Sequence, residues 1–491
     1  MENIKFQENE FNKNKWINFI FFHLLLIFLV ILIGTGLHLG NKDYEIQNYD
    51  LLIFCWIGNL VIVYCLVSWW KLTNTFFHPY VMFLLALYIF TYGQAFLKSF
   101  GMSYEKYDLY ELFNEGELLK AQIFTCIAIS FIHLGALLSL KKKVNFIPNM
   151  NEEIKEPALK MAVRGVAWIL VLCTLYFYFY QQINNAIITT VYGYGSLYGN
   201  AIESSSVQNI TNSLRMFFIP GIYLLFIAYK NNWYIRKMVI IIIVCSVALS
   251  FIGGSRTEGI AIIMSFSWLY HIHINRFNFK KLIPVMAIGL FILTLVPTFS
   301  QFRDIANKDL SSFLILYGTS LQDNPIKASI GELGGSMFPL IQVMKIQPDF
   351  SPFMWGESYV NAITSMIPAI LTGGEPIVPR ISLANWLMDI LGMNYGPGFS
   401  LIAEAYYNFG WLGSIFLIII GYSFGKLFNL NSINKDKQIL FNVLIASSLY
   451  YSMFAVRDQL MLFIRYEVYG ILIVYIVVMM FRAIVKKERL I

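Results

Sequence analysis

The sequence is short of charge. Only 13% of its 491 residues are Asp, Glu, Lys or Arg, against about 25% in soluble domains. With 57% hydrophobic residues and a mean hydropathy of +0.61, that deficit excludes an ordinary cytosolic enzyme, a disordered chain and a nucleic-acid binder. Cysteine is sparse too. Cys55, Cys65, Cys126, Cys173 and Cys245 all lie inside apolar runs, and none forms a metal-type pair, so no disulfide framework is implied. The six histidines, His23, His38, His78, His133, His271 and His273, form no H-x-x-x-H pair, and no metal site is expected. The G-x-x-x-x-G-K-[ST] nucleotide loop is missing, so ATP is not the expected energy source. The G-x-S-x-G nucleophile elbow is missing as well. No cofactor and no nucleic-acid partner are expected.

Long apolar runs are what the chain has instead. A hydrocarbon core needs about 20 apolar residues in a helix. Twelve candidate spans meet or approach that length: 16–39, 51–70, 79–97, 119–140, 162–181, 214–229, 238–252, 257–274, 282–300, 399–428, 439–454 and 460–481. The first is too long and too flat for a cleaved signal sequence, so it is read as a retained span. Placing the N-terminus in the cytoplasm and alternating puts 23 of the 36 Lys and Arg residues on inner segments and leaves 13 outside. The outer loop after the third span is acidic, with Glu105, Asp108, Glu111, Glu115 and Glu117. The expectation is an all-α integral membrane protein forming a single polytopic domain over 1–491. Both termini are inside, and the site of action is on the outer face of the inner or plasma membrane.

One outer segment differs from the rest. Residues 301–398 are too long for a simple connection. Their apolar runs, 310–321, 337–344 and 359–371, are too short to span and are punctuated by Pro and Gly. Short amphipathic helices lying over the bundle are expected there.

Among the outer cations, five arginines stand out: Arg256, Arg303, Arg380, Arg457 and Arg465. A guanidinium is always charged and grips phosphate in two places. Arg256 follows Gly253-Gly254-Ser255. Ser255 and Glu258 have capping-box spacing, which would start the eighth span at a helix N-terminus suited to an anion. Nothing in the sequence pairs with Arg256 except an anion. For Glu258 alone, capping is the favoured reading. Arg303 has Asp304 beside it, and Arg457 pairs with Asp458 as a turn bridge. Arg465 lies deeper in the twelfth span and needs a partner other than Glu467. Arg380 sits in a Pro-rich loop, where solvation is the ordinary fate. Ser400 can cap the tenth span, placing Glu404 one turn in, with Tyr407 and Asn408 on its face. An ionisable residue in a span faces a cavity or a partner. Glu404 therefore has two readings: a catalytic carboxylate, or a structural pair with Arg256 or Arg465.

Four sequence runs resemble the Wzy-type polysaccharide polymerases, the O-antigen and capsule repeat-unit polymerases of bacteria. They are Gly253-Gly254-Ser255-Arg256-Thr257-Glu258, Gly331-Glu332-Leu333-Gly334, Trp355-Gly356-Glu357-Ser358-Tyr359 ahead of Ile367-Pro368, and Gly398-Phe399-Ser400 leading into Ala403-Glu404-Ala405-Tyr406-Tyr407-Asn408-Phe409-Gly410. The last run is the most specific. Sister O-antigen ligases carry a histidine in the outer loop, and this chain has none there.

The resemblance implies a donor glycan and an acceptor repeat unit, each on undecaprenyl pyrophosphate in the membrane. An acceptor hydroxyl attacks the donor's anomeric carbon, and the lipid pyrophosphate leaves. Such a donor is already activated, which suits chemistry without ATP. In this metal-free scheme Arg256, Arg303, Arg380 and Arg465 would hold the pyrophosphate. Glu404, and after it Glu332, would take the hydroxyl proton. Ser255, Glu258, Ser400, Tyr407 and Asn408 would support them. A chain-length regulator and a flippase are the partners the resemblance implies. The sequence leaves open a ligase passing glycan to another acceptor, a lipid-linked oligosaccharide flippase or transporter, and a membrane scaffold.

Overall fold

The structure, a computed structural model, describes residues 13–40, 48–104, 107–140, 153–192, 213–277, 294–295, 298, 301–302, 309–322, 324–367, 382–393 and 396–488. Every regular element among the described residues is helical. Nine helices there are long and apolar enough to cross a membrane: Lys13–Leu37, Tyr49–Thr73, Pro79–Ser99, Glu115–Ser139, Pro157–Tyr192, Trp233–Ile252, Leu401–Leu427, Lys435–Arg457 and Leu460–Glu488. The chain is a multi-pass membrane protein. Three of the twelve expected spans are not among the nine. The sixth is a shorter apolar helix, Ser213–Ala228. The eighth is the helix Arg256–His273, which carries Arg256 and Glu258 in its first turn and two histidines in its last. The ninth, 282–300, lies outside the described residues except at 294–295 and 298.

Local chemistry explains where the helices begin. Pro79 opens its helix with a preset φ, and the His78 ring accepts the Tyr80 N–H at 3.2 Å. Asn114 and Glu117 close a reciprocal capping box at the start of Glu115–Ser139. Asn232 and Asn434 cap the helices that follow them.

Glu115–Ser139 is buried along most of its length. Its closest partner is Gly413–Leu427, and glycine makes that approach possible. A Cβ on Gly421 would fall 1.9 Å from the Ile132 carbonyl oxygen, and one on Gly135 2.0 Å from that of Ile418. Gly425 similarly abuts Ser139. In lipid, helices gain by such close backbone packing, since lipid tails are as apolar as leucine. The uncovered faces carry Phe21, Phe28, Leu172 and Tyr176, all exposed, as a lipid-facing surface requires.

The segment 301–398 supplies the helices Leu310–Gln322, Pro325–Leu333, Phe338–Ile346, Glu357–Thr364 and Leu383–Leu391. Four contacts tie it to one end of the bundle. The Gln94 amide donates to the Gly331 carbonyl at 2.8 Å, while Gly334 lies so close to Gly93 that a Cβ would meet the Gln94 nitrogen at 2.4 Å. Lys345 pairs with Glu117 at 3.0 Å. Trp355 donates its N–H to the Asn408 carbonyl at 2.9 Å. On the expected orientation that end would lie outside.

Candidate functional site

Two buried polar clusters form at this end. The first is built around Glu404. Ser400 caps Leu401–Phe409, its hydroxyl accepting the Ala403 N–H at 3.1 Å, and this sets Glu404 one turn in. Glu404 is fully buried. One carboxylate oxygen accepts the Ser358 hydroxyl at 2.6 Å, and the other accepts the Leu460 N–H at 2.6 Å. Leu460 starts the last membrane helix, whose N-cap Gln459 makes no side-chain cap of its own. Glu404 therefore supplies the acceptor for the first N–H of this helix, which its own N-cap residue does not provide.

Asn408 completes the lattice. Its amide donates to Ser358 Oγ at 2.7 Å and to the Glu404 carbonyl at 2.8 Å, and its side-chain oxygen accepts the Gly356 N–H at 3.1 Å. Trp355 and Gly356 reach it through positive φ angles of 45° and 93°, a conformation that explains the glycine. Tyr407 packs edge-on against Trp386 with centroids 4.8 Å apart. Among the described residues no cation pairs with Glu404, so the structural reading of a Glu–Arg tie with Arg256 or Arg465 is not what forms; its partners are neutral donors.

The second cluster surrounds the start of Arg256–His273. The expected Ser255–Glu258 capping box does not form. Gly253, Gly254 and Ser255 bond back to Leu249, Phe251 and Ser250, closing the preceding helix. That tight turn leaves the Ser255 side chain without a capping bond. Arg256 also departs from expectation. It is 4% exposed and forms an ion pair with Glu332. The second carboxylate oxygen of Glu332 is buried without a hydrogen-bond partner.

Glu258 is 2% exposed and faces the other way. It accepts the Gln182 amide at 2.7 Å and the hydroxyls of Tyr178 at 3.0 Å and Tyr450 at 3.3 Å. Arg215 approaches its other oxygen at 3.6 Å. Tyr466, in the last membrane helix, lies within electrostatic reach of Arg215, Glu258, Asp458 and Arg465. A π-helical stretch, Glu467–Ile473, begins immediately after it.

Sequence reasoning missed Arg215 and Gln182. Arg215 was one of the outer cations, at the edge of the sixth span, but had no local motif to single it out. Gln182 lay just past the expected end of the fifth span at 181, yet the helix runs on to Tyr192. Arg303 and Arg380 lie outside the described residues. Arg465 is half-buried beside Tyr466.

At the far end of the bundle, His23, Cys65 and His133 converge, with one potential ligand atom from each within 4.8 Å of the others. No local spacing announced this. The His133 ring nitrogens already bond Ser68 at 2.8 Å and Tyr80 at 3.0 Å, and His23 Nε2 donates to the Ser130 carbonyl at 2.7 Å. His23 Nδ1 is buried there without a hydrogen-bond partner.

The family described as O-antigen polysaccharide polymerase Wzy matches residues 16–489. The chain belongs to that family. It is also similar to Protein CapE of Staphylococcus aureus, at 23% identity over 299 residues. That match covers 60% of this chain and 61% of the relative, less than two thirds of its length. No solved structure matches. The four runs that carry the sequence resemblance divide between the two clusters: the Trp355–Tyr359 and Gly398–Gly410 runs contribute to the first, and the Gly253–Glu258 and Gly331–Gly334 runs to the second.

Proposed function

We propose that this chain polymerises lipid-linked oligosaccharide repeat units at the outer face of the membrane, with the donor glycan carried on undecaprenyl pyrophosphate. The acceptor hydroxyl oxygen bonds to the donor's anomeric carbon. The bond from that carbon to the pyrophosphate oxygen breaks, its electron pair leaving with the lipid pyrophosphate, and the hydroxyl proton passes to a carboxylate. Family membership supports the reaction class. The observation that supports the site is the Arg256–Glu332 pair at a helix start whose Ser255 side chain provides no cap.

In this reading Arg256 meets the pyrophosphate together with the first-turn N–H groups, and Arg215 adds charge from the other side of the helix. Substrate phosphate displaces Glu332 from Arg256, and the released carboxylate takes the proton. Glu332 suits this better than Glu404. It has an oxygen without a hydrogen-bond partner, whereas both Glu404 oxygens are bonded and fully buried. Glu404, Ser358 and Asn408 are positioning residues that tie the outer segment to the helices Leu401–Leu427 and Leu460–Glu488. The leaving charge is met by arginine without a metal.

The test is polymer length in a strain that makes the lipid-linked repeat unit but lacks its own polymerase. The parent should yield a ladder. Arg256→Ala removes a charge-assisted contact of about 3 kcal/mol, about a hundredfold in rate, and should collapse the ladder to single units. Glu332→Gln should do the same. Lys345→Ala, at a half-exposed pair, should leave the ladder intact, and so should a chelator. A normal ladder from inserted Arg256→Ala protein would overturn the site. Glycan on a non-lipid acceptor would replace polymerase by ligase. Single units crossing only when the chain is present, with no ladder, would replace it by transport.

A further inference from the structure

The helix Lys13–Gly40 turns much of its surface to lipid, with Phe21, Phe22, Leu24, Leu25 and Phe28 exposed. Its buried side is a narrow stripe through His23, Ile27 and Val30, spaced to fall on one face. His23 is the polar member of that stripe and lies about 15 Å along the helix from Lys13. A polar side chain so deep in a span marks a partner or a function.

Two further metal-ligand side chains meet it, Cys65 from Asn48–Thr73 and His133 from Glu115–Ser139. All three residues are fully buried, and one ligand atom of each lies within 4.8 Å of the others. Around a bound first-row metal such atoms stand about 3.5–4 Å apart, so small side-chain shifts close the set. The tautomer of His23 suits a ligand. Its Nε2 donates to the Ser130 carbonyl, which can only accept, and this leaves the lone pair on Nδ1. That Nδ1 is the buried nitrogen without a hydrogen-bond partner. A ligating histidine characteristically donates its other N–H to a carbonyl or carboxylate in this way. His133 sits between the Ser68 and Tyr80 hydroxyls and would exchange one of them for the ion.

Charge selects the ion. A thiolate with two neutral imidazoles carries one negative charge, and among the described residues no carboxylate joins the group. Cu(I) makes the set neutral, whereas Zn(II) leaves a net positive charge far from water. Thiolate and imidazole also suit a soft cation. We propose that His23, Cys65 and His133 bind a single Cu(I) ion that fastens the helix Lys13–Gly40 to its two neighbours. As the copper–sulfur bond forms, the thiol proton leaves to water. The metal arrives as Cu(I), so no electron is transferred. The ion adds to two contacts already holding this helix, the Trp16 indole N–H on the Leu137 carbonyl and the Tyr64 hydroxyl on the Phe19 carbonyl, each at 2.9 Å. The site lies apart from the two polar clusters and is independent of the reading given to them.

The full-length protein, purified anaerobically in detergent, tests this by titration with Cu(I) against a chromogenic Cu(I) chelator and, in parallel, with Zn(II). The parent should retain one copper per chain, with X-ray absorption showing one sulfur and two nitrogen ligands, and should unfold at a higher temperature with the ion than without it. Cys65→Ser and His23→Gln should each weaken Cu(I) binding about a hundredfold and lose that rise. Cys173→Ser and Cys245→Ser, at exposed positions, should bind as the parent does. Should the ligand variants fail to fold, the parent's stoichiometry and absorption spectrum decide alone. None of the four variants, once inserted, should shorten the polymer ladder, so loss of copper and loss of polymer are read apart. Absence of retained copper, copper without a sulfur ligand, equal loss from Cys173→Ser, or a preference for Zn(II) overturns the proposal.

Discussion

Glu404 and Glu332 show how much a carboxylate's neighbours decide. Both were candidates for the general base, and sequence favoured Glu404 because a membrane-buried acid invites a functional reading. In the structure its oxygens are taken by Ser358 and by the first N–H of the last membrane helix. Replacing it should act on stability before chemistry. Glu404→Ala leaves the Ser358 hydroxyl and the Leu460 N–H without their acceptor, at a cost of about 2–4 kcal/mol. Thermal unfolding in detergent should show the loss, while the inserted fraction still makes a full ladder. A stable Glu404→Ala protein producing only single units would return Glu404 to the chemistry. At the other cluster, Arg215→Ala should strand a buried Glu258. Arg215→Lys keeps the charge and should retain more polymer than Arg215→Ala, as read from ladder length.

At the scale of elements, glycine sets how closely helices pack. The contact between Glu115–Ser139 and Gly413–Leu427 depends on Gly135 and Gly421, where any side chain would strike backbone. A fixed backbone cannot yield as a flexible side chain can, so Gly421→Val should cost at least about 1–3 kcal/mol. It should appear as a lower unfolding temperature and a smaller folded fraction on size-exclusion chromatography. Gly36, with nothing near its Cβ position, is the matched control, and Gly36→Ala should leave both unchanged. The helices themselves were legible because apolar length announces them. Their ends were less so. The run 162–181 stops where polar residues begin, but the helix continues to Tyr192 because Gln182 finds Glu258 and Thr189 finds the Gly253 carbonyl. The Ser255–Glu258 spacing misled for a related reason: the preceding helix claimed the turn first.

For the whole molecule, charge asymmetry predicts sidedness, and the structure offers positions to test it. Phe350 is exposed in the outer segment, and Ile433 is fully exposed in the turn between Gly413–Leu427 and Lys435–Arg457. In a chain freed of its five cysteines, Phe350→Cys should react with an impermeant maleimide added to intact cells. Ile433→Cys should react only after permeabilisation. The reverse pattern would invert the topology and move the proposed polymerisation site to the wrong side for its donor.

The sequence by itself determined that this is a helical membrane protein, where most of its helices lie and that a long segment interrupts them. It also carried the family resemblance. These follow from local properties: apolar length, basic loops, turn residues and short motifs. Partnership was left to the tertiary structure. Glu332 and Arg256 are 76 positions apart, Arg215 and Glu258 43 apart, Ser358 and Glu404 46 apart. An ion pair or hydrogen bond acts over a few ångströms of space regardless of sequence distance. Which carboxylate holds the fold and which faces an arginine with an oxygen to spare was decided only when the helices packed.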